Sequence, residues 1–313
     1  MDIDTEPTVN TVPMVTIDTS DEITVPEPMY PPEPDQISEN VTFKKVFCDI
    51  ETTSFSMHTE IVQIAAVCED ETFDQYILPL RQLDPGASKV TGLTCDGGVL
   101  YHHGIAVTTI DLKSALECFL GWLDPLKPCV LVGHNFKNFD YPRIYRAFTK
   151  FNLINAFHQI VLGFVDSYPL FKAIYPKEES YKQESLVAKY VQETYDAHNA
   201  IGDVKSLKKL LTVCDKITHE VLCKYSFTAN WYVEYHNYKT VSNKKADTFK
   251  QITENKILSK NTIDKIAGSG LEMKHLKWVY GKEGPEALTD LLVSRASLSK
   301  ATVGKLLTFL ASE

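Results

Sequence analysis

The chain has 313 residues, 44% of them hydrophobic, enough for a core in one or two domains and too many for a wholly disordered chain. Its net charge of −9 is segregated: residues 1–40 hold ten acids and no base, 41–203 hold 20 acids and 14 bases, and 204–313 hold 11 acids and 18 bases. No apolar run of 18 residues and no signal peptide stand in the sequence, so neither a membrane span nor secretion is expected, and the seven scattered cysteines, with no C-x-x-C pair, read as reduced thiols of the nucleus or cytoplasm and not as a zinc site.

Residues 1–42 are Pro-, Thr- and acid-rich ("TVPEPMYPPEPDQISEN") and hold too few large apolar side chains to offset the entropy of ordering. They are expected to form a disordered acidic tail. A linear motif around "MYPPEP", docking as polyproline II, is the functional alternative.

The first strand is "KKVFCDIE", a short run with Val46, Phe47 and Ile50. Residues two apart on a strand share a face, so Asp49 and Glu51 point the same way. Taken alone, the pair also fits a solvated edge strand. "IVQIAAV" and "TFDQYILP" predict two further strands, and "YHHG" a solvated loop, since adjacent histidines on a strand would face opposite ways. "TTIDLKSALECFLGWL" predicts a helix, and the unbroken apolar run from Cys129 to Val132 a buried strand. A helix follows from "FDYPRIYRAF", with Pro142 in its first turn and Ile144 and Phe148 on its buried face. Asp140 sits at this strand-to-helix passage, where a plain N-cap would also favour Asp. After the strand "IVLGFVDS", the run "DAHNAIGDVKSLKKLL" gives a helical stripe of Val204, Leu207, Leu210 and Leu211. Asp203 lies just ahead of the stripe and His198 on the lead-in loop. A loop histidine and a first-turn acid are the plain reading of that piece.

This order is α/β: a mixed central sheet over residues 43–213 with helices on both faces. Ligands of such sheets gather at the ends of central strands, where the acids fall. Residues 214–313 are expected to be a basic, all-α region. Within it "AGSGL" fits either an ordinary helical hairpin or a helix–hairpin–helix turn presenting backbone N–H groups to a phosphate. Pro285 and Ser299 mark two later helix starts.

Asp49, Glu51, Asp140 and Asp203 with His198 suit a site for two divalent cations that cuts phosphodiester bonds. Hard Mg²⁺ or Mn²⁺ ions take oxygen ligands, and two of them about 4 Å apart can stabilise both the attacking and the leaving oxygen. In this order the motifs resemble those of the DEDDh 3′→5′ exonucleases of the RNase T/DnaQ-like class. "EIVQIAAV", "KVTGLT" and "GHNFKNFDYP" agree, the last being similar to a TREX-type motif. "VTGLTCDGGVLYHHG" is similar to the exonuclease-like region of promyelocytic leukaemia (PML) proteins. The resemblance runs from about Lys44 to Leu211 and departs at Ser54, where the family often has Gly.

The resemblance implies a ribonuclease H-like fold and release of nucleoside 5′-monophosphates from DNA or RNA, most simply from single-stranded 3′ ends. Asp49, Glu51 and Asp203 would bind the first metal, with Asp49 bridging to the second, and Asp140 would support the second. His198 would be the general base for the attacking water, as a neutral imidazole near pH 7 can be. Phe139 and Tyr141 are candidates either to stack on terminal bases or to pack in the core. The alternative function is a catalytically weak, PML-like scaffold module that binds nucleic acid or protein. Four clustered carboxylates weigh against it, because like charges are costly to gather without a cation. Protein partners and oligomeric state stay open.

Overall fold

The computed structural model describes residues 23–195 and 197–312. The chain forms two compact units: Pro32–Tyr235, and residues up to Pro31 with His236–Glu313. The N-terminal part of the expected disordered tail, residues 1–22, lies outside the described residues.

The larger unit is built on a seven-stranded mixed sheet. Its strands are β1 (Lys44–Thr52), β2 (Ile61–Cys68), β3 (Glu71–Ile77), β7 (Thr109–Ile110), β8 (Cys129–Gly133), β9 (Val161–Asp166) and β10 (Ser226–Thr228), in the order β10-β9-β8-β1-β2-β3-β7. β1, β8 and β9 are parallel, β2 and β3 are antiparallel meander strands, and β10 closes the other edge antiparallel to β9. β8 is buried throughout, which is why it reads as an unbroken apolar run.

Alternation sorts the side chains of β1 onto two cores. Val46, Cys48 and Ile50 pack with helices α2 (Leu112–Leu123), α3 (Asp140–Lys150) and α4 (Ile154–Ile160). Phe47 faces the other core with α5 (Ser167–Ile174), α6 (Gln183–Tyr190) and α7 (Ala200–Val213). Asp49 and Glu51 share the Phe47 face, so the same alternation points them towards α7.

The sequence reading missed a small second sheet. Helix α1 (Pro85–Thr91) leads into β4 (Leu93–Asp96), β5 (Val99–His102) and β6 (Ile105–Ala106). "YHHG" is therefore a hairpin: His102 pairs with Ile105, and His103 and Gly104 make the turn with φ of 48° and 77°. Positive φ at both central residues is the two-residue hairpin geometry, and glycine takes it without strain.

Residues 32–38 make contacts that a disordered tail would lack. Ile37 is 6% exposed and packs in the α7-side core. Its N–H donates to Ser226 Oγ at 2.8 Å, Gln36 Nε2 donates to the Lys224 carbonyl at 2.6 Å, and Thr228 N donates to the Asp35 carbonyl at 2.9 Å. The β10 strand and the first two turns of α9 (Ala229–Ala246) also belong to this unit: Trp231 and Tyr232 are buried in the α3-side core.

The second unit is helical, with α10 (Lys250–Glu254), α11 (Lys260–Gly268), α12 (Met273–Ala296) and α13 (Lys300–Leu310). Pro285 opens the second half of α12 after Gly284 leaves helical geometry at φ 93°, and the Ser299 side chain caps α13 by accepting from Thr302 N. The "AGSGL" turn is not displayed. Gly268 to Leu271 are buried, the Ser269 carbonyl accepts from Met29 N at 3.2 Å, and Glu27 O lies 3.2 Å from where a Cβ on Gly270 would be. The N-terminus of α12 is closed by a capping box between Glu272 and His275. A phosphate-presenting turn therefore does not form here, because a segment distant in sequence covers it. No helix among the described residues is long and apolar enough to cross a membrane.

Candidate active site

Asp49 and Glu51 leave the C-terminal half of β1 on one face, where the register with β2 shifts between Glu51 and Thr52. That irregularity bends the strand end and re-aims the last side chains. Asp203 comes to them from the first turn of α7. One carboxylate oxygen from each of Asp49, Glu51 and Asp203 lies within 4.8 Å of the others. Asp140, at the first position of α3, is 2% exposed, and its Oδ1 accepts from the Ile50 N–H at 3.3 Å. The fourth acid is thereby tied to the strand between the first two.

Asp203 is held on both sides. Its Oδ1 accepts from Tyr195 Oη at 2.8 Å and Gln183 Nε2 at 3.1 Å, and its Oδ2 accepts from the His198 N–H at 2.9 Å. His198 itself sits in the left-handed region at φ 64°, with its side chain half exposed and Nε2 3.5 Å from Glu184 Oε1. The five residues expected from sequence line one cavity of about 640 Å³.

Loss of water raises the carboxyl pKa values first, and the neighbouring acids add to it. Asp49 and Glu51 are held well above the ordinary carboxylate range by burial and then by the other acids. Burial pushes Asp140 up to about 8 against the pull of the Ile50 N–H, and Asp203 up to about 6 against the Tyr195 and His198 hydrogen bonds. Three carboxylates with oxygens this close, each unfavourable as a bare charge, fit a divalent cation: it would satisfy the oxygens and remove the repulsion.

Several participants were not visible in the sequence. Asp166, 1% exposed at the end of β9, caps α5 by accepting from Tyr168 N at 3.0 Å and adds to the charge felt by Asp140. His134 lines the cavity with both ring nitrogens engaged, Nδ1 with Ser167 Oγ and Nε2 with the Tyr181 carbonyl, each at 2.8 Å. Burial lowers its pKa to about 4, so it is neutral at pH 7. Phe55 is 63% exposed at the cavity wall. Of the two aromatics that could stack on bases or pack in the core, Phe139 lines the cavity and Tyr141 does not. One residue on from Asp140, the helix turns Tyr141 into the core against Phe164 and Tyr232, fully buried. Ser54, where the family often has Gly, donates its N–H to Thr59 Oγ1 at 2.7 Å, so this loop is fixed by side-chain bonds.

Comparison with known proteins divides the chain into two parts. Residues 43–190 match the family described as Exuperantia RNAse H-like domain, and residues 245–312 match the family described as PML, C-terminal domain. The first match carries the ribonuclease H-like fold class expected from the motifs, and the mixed sheet has that form. Similar curated proteins are the maternal protein exuperantia of Drosophila virilis, 30% identical over 166 residues (45% of this chain, 32% of that protein), and that of Drosophila melanogaster, 32% identical over 139 residues (40% and 26%). The chain thus spans about a third or less of the length of these relatives. Among solved structures, exonuclease I matches with a TM-score of 0.48 at 17% identity (58% of this chain, 42% of that chain). The zinc-bound E. coli ExoI–ssDNA complex matches with 0.46 at 18% identity (56% and 42%). The chain therefore joins a segment similar to the Exuperantia RNAse H-like domain to a segment similar to the PML C-terminal domain.

Proposed function

We propose that this nuclease-like scaffold is a metal-dependent 3′→5′ exonuclease that hydrolyses phosphodiester bonds of DNA or RNA to nucleoside 5′-monophosphates. The observation that carries the reading is the convergence of Asp49, Glu51 and Asp203 oxygens within 4.8 Å. Asp140 is pinned beside them and His198 stands in the same cavity. Asp49, Glu51 and Asp203 would hold the first of two Mg²⁺ or Mn²⁺ ions, Asp49 would reach the second, and Asp140 would support that second ion. When bound, such ions supply Lewis-acid stabilisation of the charge that develops on the scissile phosphate.

The chain's own groups supply orientation and proton transfer. Tyr195 and Gln183 fix one oxygen of Asp203 and the His198 N–H fixes the other, which sets the carboxylate plane before any ligand arrives. With Nε2 turned towards Glu184, His198 Nδ1 is the nitrogen left to take the proton of the attacking water. The partner is nucleic acid, engaged at single-stranded 3′ ends. All seven cysteines are free thiols, which suits the nucleus or cytoplasm.

The test is a nuclease assay on 3′-hydroxyl single-stranded DNA, duplex DNA and RNA, with Mg²⁺, with Mn²⁺ and with EDTA. The expected result is stepwise shortening from the 3′ end with metal and none in EDTA. Full activity in EDTA, or none on any substrate with metal, would sink the reading.

A further inference from the structure

One face of α3 grips β1 and the loop that follows it at successive points. Asp140 takes the Ile50 N–H. One turn on, Arg143 donates from Nη2 to the carbonyls of Phe55 at 3.0 Å and Ser56 at 2.7 Å, and from Nη1 to the carbonyl of Phe139 at 2.5 Å. Arg146, another turn on, donates to the carbonyl of Met57 and, at 2.8 Å, to that of Thr59. Residues three apart lie on one helical face, so the three side chains act as one row.

Arg143 is an expensive residue in this place. It is 2% exposed, its guanidinium lies 3.8 Å over the Phe139 ring, and its buried Nε has no hydrogen-bond partner among the described residues. Removing a guanidinium from water is costly unless it is well paired, and an apolar side chain of similar volume would pack without that cost. What the apolar side chain would lack is the planar fork that spans several carbonyls at once. The loop it grips carries Phe55 at the wall of the carboxylate cavity, and the same helix carries Asp140.

We propose that Arg143 is a positioning residue: with Arg146 it clamps the Phe55–Thr59 loop, whose Phe55 lines the cavity, to the helix that bears Asp140, and so sets the width of the cleft in which a nucleic-acid strand engages. The proposal rests on the nuclease reading for the ligand that enters the cleft, while the clamp itself is a property of the chain. Arg143 touches no reacting atom. It acts on strand engagement, so its loss weakens affinity and raises KM more than it lowers kcat.

The experiment compares the full chain with Arg143→Lys, which keeps the charge but not the fork. It adds Arg146→Met, which removes the outer two bonds from a position less buried than Arg143. Five quantities are read: exchange of the Ser54, Ser56 and Glu60 amides; affinity for a single-stranded oligonucleotide in Ca²⁺; Mn²⁺ affinity; and kcat and KM in Mg²⁺. In Arg143→Lys we expect those amides to exchange faster, and oligonucleotide affinity and kcat/KM to fall by about 10- to 100-fold, the worth of one or two charge-assisted hydrogen bonds. The fall should lie mainly in KM, with Mn²⁺ affinity unchanged. Arg146→Met should shift the same quantities less. Unchanged exchange overturns the clamp. So does a loosened loop with unchanged affinity, or a Mn²⁺ affinity that falls in step with oligonucleotide affinity. A wild-type chain that binds the oligonucleotide but never hydrolyses it removes the nuclease reading alone, and the affinity difference still judges the clamp. A wild-type chain that binds no oligonucleotide overturns both.

Discussion

The Ile50 N–H donates to Asp140 Oδ1 across 3.3 Å, so the strand that presents Asp49 and Glu51 is pinned, between those two acids, to the helix that presents Asp140. Three of the four acids are thus fixed relative to one another by β1 and α3 alone, and Asp203 is added from α7. The pinning has an energetic consequence, because it holds like charges together away from water.

That consequence is a pH dependence of the metal-free fold. An acid whose folded pKa lies above its unfolded value favours the fold while protonated, and the contribution is lost as pH rises through the folded pKa. Asp140 is pushed up to about 8 and Asp203 up to about 6 by burial. His134 works the opposite way: burial lowers it to about 4, so it costs stability as pH falls below its ordinary range. Above that range His134 is silent while Asp140 still titrates, so the window runs from about pH 7 to 8, below the ordinary range of the buried thiols. In EDTA the melting temperature should fall by several degrees across it. Mn²⁺ should raise the melting temperature more at the upper end, where the carboxylates are ionised without proton competition. Thermal denaturation with and without metal checks both. A metal-free melting temperature that climbs across this window contradicts the assignment of these buried acids.

Asp203 and His198 should separate in their effects. Asp203→Asn removes a ligand charge and disturbs the Tyr195 and His198 bonds, so Mn²⁺ affinity and activity should fall together. His198→Ala leaves the His198 backbone N–H on Asp203 in place. It should keep metal affinity and lose turnover by roughly 10²–10⁴-fold, the usual worth of a general base. Calorimetric titration of Mn²⁺ decides between them. Equal loss of metal in the two variants would show that His198 acts on the ligands.

Ile37 should matter to stability. Its side chain is 6% exposed among residues of the α7-side core, and its neighbours Asp35 and Gln36 bond to Thr228 and Lys224. Ile37→Ala leaves a cavity under an otherwise hydrogen-bonded segment, and such truncations cost roughly 2–5 kcal/mol. Chemical denaturation of the full chain should show a clear loss. The composition of residues 1–42 suggests that a chain beginning at Val41 would lose nothing. An Ile37→Ala variant as stable as the wild type would restore that expectation.

Where the sequence was legible, a local period decided the matter. Strand alternation put Asp49 and Glu51 on one face, and the helical stripe after Asp203 set which side of the sheet α7 covers. Elsewhere a distant partner decided. Tyr141 looked like a neighbour of the site because it follows Asp140, yet one step of helical rotation carries it to the core. The "AGSGL" turn fitted either an ordinary hairpin or a phosphate-presenting one by its local pattern, and Glu27 and Met29, more than 200 residues away in sequence, decide for the covered form. A single Ile in a socket is invisible to composition, and so residues 32–38 read as tail. The second sheet was lost in the Gly-rich run "TCDGGVLYHHGIA", whose turns need positive φ at Gly97, Gly98, His103 and Gly104. Ser54, the one departure from the family pattern, proved to be a hydrogen-bonded loop residue.

The last prediction concerns the basic half of the chain. Residues 236–313 carry 13 basic and eight acidic residues, while the site-bearing stretch 41–203 has an excess of acids. Away from the metal site, that acidic stretch repels a phosphate backbone, so affinity for longer strands should come from the helical unit. With the "AGSGL" turn buried, the contribution rests on lysines spread over the helices, among them exposed Lys256, Lys300 and Lys305. The natural place to cut is after Tyr235, since β10 pairs with β9 and Trp231 and Tyr232 fill the core of the larger unit. A chain of residues 32–235 should keep hydrolysis of short oligonucleotides and bind longer strands more weakly. Its salt dependence should flatten by about 0.7 in the log–log slope for each single-strand phosphate that is no longer neutralised. The competing role for this unit is protein binding, or packing alone. Binding of long strands with an unchanged affinity and slope, in a truncated chain that still melts cooperatively, would favour that role. A Lys300→Glu, Lys305→Glu variant of the full chain then asks the same question without a cut. It should move the slope in the same direction while leaving short-substrate turnover alone, because both lysines lie on α13, outside the unit that carries the carboxylates.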